Sequence, residues 1–346
     1  MYKLELEDYK KVMPLLESNN ELSVFSVISG IMPGEIYVDD VCHPAAVLIQ
    51  TSECNLLAGK NDVGKFNATL SDELDFWDPV IPDSSGWNSV IPNIHKNRFV
   101  RKYQRRHYSL NIENSLNINA NLPDGYCMEP AIPADLRLKQ YENSDKLISW
   151  IENWGNDEAF TEHGTGCYIR KGNTIVSWSI SDCSYNDKIA IGIHTDERFR
   201  KKGLGIFAAN ETVKMCFSKG FKSIDWLCVD FNKGSIAIAE KLGFSLVCRY
   251  DAFTPYPPVE NLTDLSETEW NEWAVYFENA SLTEPQLLTE CLFAYIKANN
   301  VTKANEILFI HKEKKPIEHN VNGFIQYLHT FGMAADFNDN WMNADI

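Results

Sequence analysis

The chain has 346 residues, more than one domain usually needs, so two or three domains are expected. Its 48 Asp and Glu outweigh 32 Lys and Arg for a net charge of −16, which argues against nucleic acid or an anionic membrane as partner and favours a cationic or amine-bearing one. The 9 Cys include no Cys-x-x-Cys pair, no metal site is read, and no leader or membrane-spanning apolar run is found, so a reduced, cytoplasmic, soluble protein with buried thiols is expected.

Residues 3–18 carry Leu4, Leu6, Tyr9, Val12, Met13, Leu15 and Leu16 at mostly helical spacing. Residues 34–39 and 45–50 read as strands joined by a turn at Pro44, and 54–59 extends the sheet. Helical patterns follow near 62–74 and 85–97, and 102–111 reads as a strand closing this α+β unit. Asn, Pro and Gly in quick succession across 116–133 read as a hinge. A helix begins at Ser144, and strands follow at 166–170, 174–180 and 189–193, the first two joined by the hairpin turn Lys171-Gly172-Asn173. Then come a glycine-containing loop, a helix to about Lys219, strand 224–229, helix 233–242 and strand 244–248. Pro255-Tyr256-Pro257-Pro258 ends the unit. The rest is helical by pattern, near 266–279, 284–299, 302–312 and 321–332, with Ser266 and Glu269 spaced as a capping box. The expected domains are 1–124, 125–255 and 256–346.

The basic run Lys96, Arg98, Arg101, Lys102, Arg105, Arg106 and His107 reads first as a solvated face. A local anion site, or a contact with an acidic face of another domain, is the alternative.

The segment Arg198-Phe199-Arg200-Lys201-Lys202-Gly203-Leu204-Gly205-Ile206 runs from a charged loop into two glycines and a helix. Glycine reaches positive φ and admits a ligand close to the backbone, and unpaired amides at a helix start favour an anion. A nucleotide P-loop is excluded because Ile206 follows Gly205 where Lys-Ser/Thr is needed. The letters of Gly203-x-Gly205-x-x-Ala208 fit a dinucleotide fingerprint, with Asp225 about 20 residues on. Against it, the polar loop 195–202 separates strand from glycine, and hairpin-length connections suit an antiparallel sheet. A helix start whose glycines serve packing is the plainer reading.

Arg200-x-x-Gly203-x-Gly205 after a strand resembles the pyrophosphate loop of the GCN5-related N-acetyltransferases, and Asn232 through Leu242-Gly243-Phe244 resembles that family's second motif. Together they cover about 126–252. Residues 39–44, Gly125-Tyr126, Val176-Ser177 and the 195–204 stretch look like the branch that includes the zwittermicin A resistance acetyltransferase, whose members place a degenerate acetyltransferase-like half first and often end in a short tetratricopeptide-like tail. Residues 291–300 and 304–308 are compatible with such a helix pair. The resemblance implies an α+β, three-layer fold: a mixed, mostly antiparallel sheet flanked by helices, preceded by a second α+β domain and followed by a helical tail.

It also implies an acetyl-coenzyme A-dependent (or other short acyl-coenzyme A-dependent) enzyme that acetylates a small amine by direct attack in a ternary complex. Pantetheine would lie along 189–194, beside Ile191, Ile193 and His194. The pyrophosphate would sit on Arg198, Arg200, Lys201, Lys202, Gly203, Leu204, Gly205 and Ile206, with Asn232 and Ser235 holding cofactor amides or, as plain helix caps, nothing. Gly192 marks either a bulge or a close approach by the cofactor. The base is sought among Glu162, His163, Asp182 and Asp187, with Glu162 preferred. The family's usual glutamate falls at Ala190 or Asp187, depending on register. Its usual tyrosine acid falls at Ala239, which leaves Tyr250 as the candidate acid. A non-catalytic acyl-coenzyme A-binding or partner-binding protein on the same scaffold is the alternative.

Overall fold

The computed structural model describes residues 1–18, 20–74, 79–94, 100–114, 121–230, 232–254 and 266–314. The N-terminal half supplies β1 (Tyr2–Lys3), α1 (Leu22–Ile28), β2 (Glu35–Val38), β3 (Ala46–Gln50), β4 (Asn55–Gly59), α2 (Gly64–Glu73), β5 (Val80–Pro82) and β6 (Arg101–Asn111). The next stretch supplies β7 (Cys127–Pro130), α3 (Pro133–Lys139), α4 (Ser144–Glu152), α5 (Asp157–His163), β8 (Gly166–Lys171), β9 (Thr174–Tyr185), β10 (Lys188–Thr195), α6 (Leu204–Ser218), β11 (Ser223–Val229), α7 (Lys233–Lys241) and β12 (Ser245–Thr254). The described strands form one sheet in the order β1-β2-β3-β4-β5-β12-β6-β11-β10-β9-β8-β7.

That order contains the same pattern twice. Strands β2, β3 and β4 form an antiparallel meander, and α2 carries the chain over to β5, parallel to β4. Strands β8, β9 and β10 form a second meander, and α6 carries the chain to β11, parallel to β10. A parallel pair needs such a crossover, so each helix lies on a sheet face. The halves then exchange strands. β6 lies between β11 and β12, and β12 pairs with β5. The strand expected to close the first unit therefore completes the sheet of the second, and residues 1–96 and 100–255 form one compact unit.

Several local readings change. Residues 3–18 form a tight 3-10 helix, Leu6–Leu15, with Pro14 removing a backbone donor. Residues 85–93 make two short 3-10 turns around buried Trp87, not a longer helix. Part of the basic run is not a solvated face. Arg105 and His107 are buried on β6, Lys102 pairs with Asp251 at 2.7 Å, and Arg106 pairs with Asp230, which fits the alternative of contact with acidic groups of the other half. Lys96 and Arg98 lie outside the described residues. Six thiols are buried as expected, whereas Cys42 and Cys127 are exposed and Cys248 is intermediate.

The C-terminal unit contains α8 (Glu267–Ala280), α9 (Leu288–Lys297) and α10 (Val301–Lys314). The expected capping box is present at its start: Glu269 N–H donates to Ser266 Oγ, and Ser266 N–H donates to Glu269. Trp270 meets Phe293 edge-to-face at 5.3 Å, and Glu278 accepts a bond from Tyr295 and an ion pair from Lys303 at 3.0 Å. The faint helix near 321–332 lies outside the described residues. Among the described residues no helix is long and apolar enough to cross a membrane, and no His/Cys/Asp/Glu group could hold a metal ion.

Candidate active site

The two parallel strands at the centre separate early. β10 pairs with β11 only at Lys188–Ser223, Ile189–Ile224 and Ala190–Asp225. On its other edge β10 stays paired with β9 as far as Thr195–Ser177, while β11 continues with β6 to Val229–Arg105. A V-shaped gap opens beyond Ala190. Among the described residues Ile191 to Thr195 have no ladder partner on that edge, and Gly192 to Thr195 are partly exposed. An open strand edge can pair with an extended ligand.

The glycine loop sits at the wide end of this gap. Asp196 turns the chain by accepting Arg198 N–H at 3.0 Å. Lys201 (φ 61°) and Gly203 (φ 79°) then adopt left-handed backbone. The helix's first bond into this turn runs from Phe207 N–H to Gly203 O at 3.1 Å, so the amides of Leu204, Gly205 and Ile206 face out of the helix start. A Cβ on Gly203 would meet nothing within 4 Å, whereas one on Gly205 would lie 3.0 Å from Thr195 Oγ1 and 3.4 Å from Ile238. Gly203 borders open space, and Gly205 lets α6 start tightly against β10 and α7. The four cations differ. Arg198 is already paired with Asp196 at 2.7 Å and reaches Glu142 at 3.8 Å. Arg200 Nε donates to Thr195 O at 3.2 Å, Lys202 Nζ lies over the Phe199 ring at 4.9 Å, and Lys201 is exposed. Arg200, Lys201 and Lys202 carry the other positive charge at the mouth.

Across the gap, Asn232 caps α7 by accepting Ser235 N–H at 2.8 Å, and Ser235 Oγ accepts Trp226 Nε1–H at 2.8 Å. Both therefore hold the start of α7. Ala239 is fully buried in the core under α6 and α7. On the opposite face His194 stacks on Trp178 at 4.2 Å and meets Trp150 edge-on at 6.3 Å. Burial, with Lys146 and Arg200 adding to it, lowers its pKa to about 4, so the imidazole is neutral at physiological pH.

Gly192 lies against the side chain of Asp182. The β9–β10 register slips between Ala190 and Ile191, leaving Asp182 as an extra residue in β9. The bulge turns its side chain across β10, and a Cβ on Gly192 would lie 2.7 Å from both carboxylate oxygens. Ala190 and Cys183 belong to the core on the face away from α6. Burial pushes the Cys183 thiol well up, and Glu53, Asp182, Glu21 and Asp225 all add to that. Asp225, level with Ala190, lies 3.2 Å from His107 Nε2, with both side chains buried. Beyond them Glu21 Oε1 accepts Tyr250 Oη–H at 2.5 Å and faces Arg105 at 3.7 Å.

The two preferred catalytic candidates do not meet β10. Glu162 ends α5 with its side chain 76% exposed, 3.8 Å from His163, and precedes β8, two strands from β10. Tyr250 lies on β12, separated from β10 by β6 and β11, and its hydroxyl is held by Glu21 with burial driving its pKa well up. Asp187 is exposed in the turn between β9 and β10, 3.5 Å from Lys222. Neither spacing nor hydropathy signals which loop carboxylate a bulge will turn over a glycine. Gly192 was the only trace of it.

The sequence model of the GNAT acetyltransferase family matches residues 13–253, spanning both halves of the sheet. The chain belongs to this family. It is 26% identical over 239 residues to an uncharacterized N-acetyltransferase, YdfB, of Bacillus subtilis (strain 168), covering 66% of this chain and 88% of that one. Among solved structures, a GCN5-related N-acetyltransferase-like protein from Streptococcus suis 89/1591 is similar with a TM-score of 0.58 and 24% identity, over 72% of this chain and 98% of that one. The expectations of an α+β acetyltransferase fold and of an N-acetyltransferase are met at the level of the GNAT family.

Proposed function

We propose that this GNAT protein transfers an acetyl group from acetyl-coenzyme A to a small amine in a ternary complex. The observation that carries the reading is the gap between β10 and β11 leading directly to the amides at the start of α6. The left-handed Lys201 and Gly203, and the open space beside Gly203, fit a diphosphate on those amides, with Arg200, Lys201 and Lys202 supplying charge. The free edge of β10 around Ile191 to His194 fits pantetheine lying as an added strand. Bound there, the cofactor supplies a thioester. The chain's amides near Ile191 and Ile193 polarise its carbonyl, and the apolar wall of Ile189, Ile191 and Trp226 keeps water from it. Asn232 and Ser235 act by fixing the start of α7.

The N-terminal half supports the narrower branch reading, in which a degenerate acetyltransferase-like half precedes the working one. It repeats the meander, crossover and parallel strand, but its gap is filled. Beyond the β4–β5 pairs Trp87 is fully buried, and its Nε1–H donates to Gly59 O at 3.2 Å. Helices α8, α9 and α10, the part of the C-terminal unit among the described residues, fit that branch's tail. The free thiols at Cys42 and Cys127 fit a reducing, cytoplasmic setting.

Calorimetric titration with acetyl-coenzyme A tests the reading. Saturable binding is expected, and Gly203→Glu, which pushes a carboxylate into the diphosphate position, should abolish it without unfolding the protein. Retained affinity in that variant defeats the loop assignment. The buried Ala239, in place of the family's tyrosine, favours the second reading of an acyl-coenzyme A-binding protein without turnover. Binding with no thiol release across a broad amine panel would select it.

A further inference from the structure

Gly192 and Asp182 carry a step that neither the loop nor the family match assigns. We propose that Asp182 is the group that meets the acceptor's ammonium and takes its proton. The inference rests on the cofactor reading above and goes beyond it, by naming the base and the charge of the acceptor.

Three observations converge. First, the bulge in β9 places the Asp182 carboxylate against Gly192, in the space a Cβ there would need. Gly192 is the second residue past the point where β10 leaves β11, the stretch whose amides are open to the thioester. Second, the carboxylate lies on the face away from α6. The cofactor loop is built by the start of α6, so the acceptor approaches from the other side of the sheet. Third, the surroundings suit a cation. Glu53, Glu21 and Asp225 act with Asp182 to raise the buried Cys183 thiol, while Arg105 faces Glu21 and His107 faces Asp225. Glu21 is 3% exposed and its Oε2 has no hydrogen-bond partner among the described residues. On the same face the partly exposed Trp150 stands edge-on to the neutral His194, two residues along β10, and offers an aromatic surface to an alkylammonium.

The chemistry balances without further reagents. The amine nitrogen forms a bond to the acetyl carbonyl carbon, the carbon–sulfur bond breaks, and its electron pair leaves on sulfur. The ammonium gives its first proton to Asp182, which passes it to solvent and frees the lone pair for attack, and the second proton, lost from nitrogen as the carbon–sulfur bond breaks, goes to the departing thiolate. An alkylamine with a pKa near about 10 arrives mostly protonated at neutral pH and needs this acceptor. A nucleophile already uncharged at neutral pH skips that first deprotonation and has only the proton released on amide formation to lose, which the thiolate takes.

The test compares alkylamines with hydroxylamine, using the full-length chain. The alkylamine panel is n-butylamine, ethanolamine, lysine and spermidine. Asp182→Asn is expected to lower kcat with alkylamines by about 100-fold or more. It should leave acetyl-coenzyme A affinity within about twofold and reduce hydroxylamine acetylation far less. Without cofactor, calorimetric binding of the best alkylamine should weaken at least about tenfold, as expected for a lost ammonium–carboxylate contact. Gly192→Ala keeps Asp182 in the chain but displaces its carboxylate, and should lose alkylamine turnover in the same way, which guards against a folding defect in the first variant. Equal losses with both kinds of nucleophile, unchanged alkylamine turnover, or a wild type that binds acetyl-coenzyme A but neither binds nor acetylates any of these amines would overturn the assignment. Failure of the wild type to bind acetyl-coenzyme A would instead sink the cofactor reading, and the same titrations separate the two.

Discussion

Glu21, just ahead of α1, and Arg105, on β6, face each other at 3.7 Å with side chains only 2% and 3% exposed. Tyr250 from β12 adds its hydroxyl to Glu21, so α1, β6 and β12 meet at one buried carboxylate. Removing one partner of such a pair leaves a buried charge uncompensated, at a cost of about 3–5 kcal/mol. Glu21→Ala and Arg105→Ala should each lower stability by that order in urea unfolding. The double replacement Glu21→Met with Arg105→Met should cost less than either single change. Additive losses would show that the two charges do not compensate each other.

The strand exchange makes a prediction about fragments. Residues 125–255 lack β6, which separates β11 from β12. Without it two strand edges in the middle of the sheet lose their partner, with the buried faces of Tyr108 and Leu110. The fragment 125–255 should therefore fail to give a cooperative unfolding transition, while 1–255 should give one. Cooperative folding of the shorter fragment would show β6 to be dispensable.

His194 provides a pH signature. Its folded pKa of about 4 lies below the 6.5 of the free side chain, so between those values the unfolded chain binds the extra proton. Stability from this group is fully present above pH 6.5 and is lost as pH falls toward 4, by on the order of 2–3 kcal/mol. An NMR titration should find the His194 ring titrating near pH 4. Unfolding curves of His194→Gln should lose part of the acid-side slope. A midpoint near 6.5 would contradict the burial argument.

Stoichiometry follows from Trp87. Since that side chain fills the gap of the first half and donates to Gly59 O, calorimetry should count one acetyl-coenzyme A per chain. Trp87→Ala should cost about 3–5 kcal/mol, as large aromatic truncations in a core do. A second bound cofactor in the wild type would contradict the filled gap.

Much of the local structure was legible. The meander 166–195 followed from alternation and the Gly172 turn, α6 from the glycines ahead of an apolar helix, and the α8 start from Ser266 and Glu269. These depend on neighbours a few residues apart, where φ/ψ preference and side-chain spacing act directly. The site was legible only in part. The glycine loop is legible in its own residues, but its cations are equivalent in the sequence, and only the fold pairs Arg198 with Asp196. Glu162 was chosen for its position in the chain, and position in the chain does not say which carboxylate faces a strand two places away.

The sequence by itself determined an acidic α+β chain, a glycine-led helix start at Gly203 and Gly205, and a family resemblance, because each is written in composition or in contiguous residues. Only the tertiary structure decided that β6 and β12 are exchanged, that Arg105 and His107 of the basic run lie buried beside acidic partners, that Trp87 fills the first gap, and that Asp182 rather than Glu162 stands over β10. Strand order and bulge register are set by which distant surfaces bury best against each other, and contacts across tens to hundreds of residues leave almost no local pattern to read.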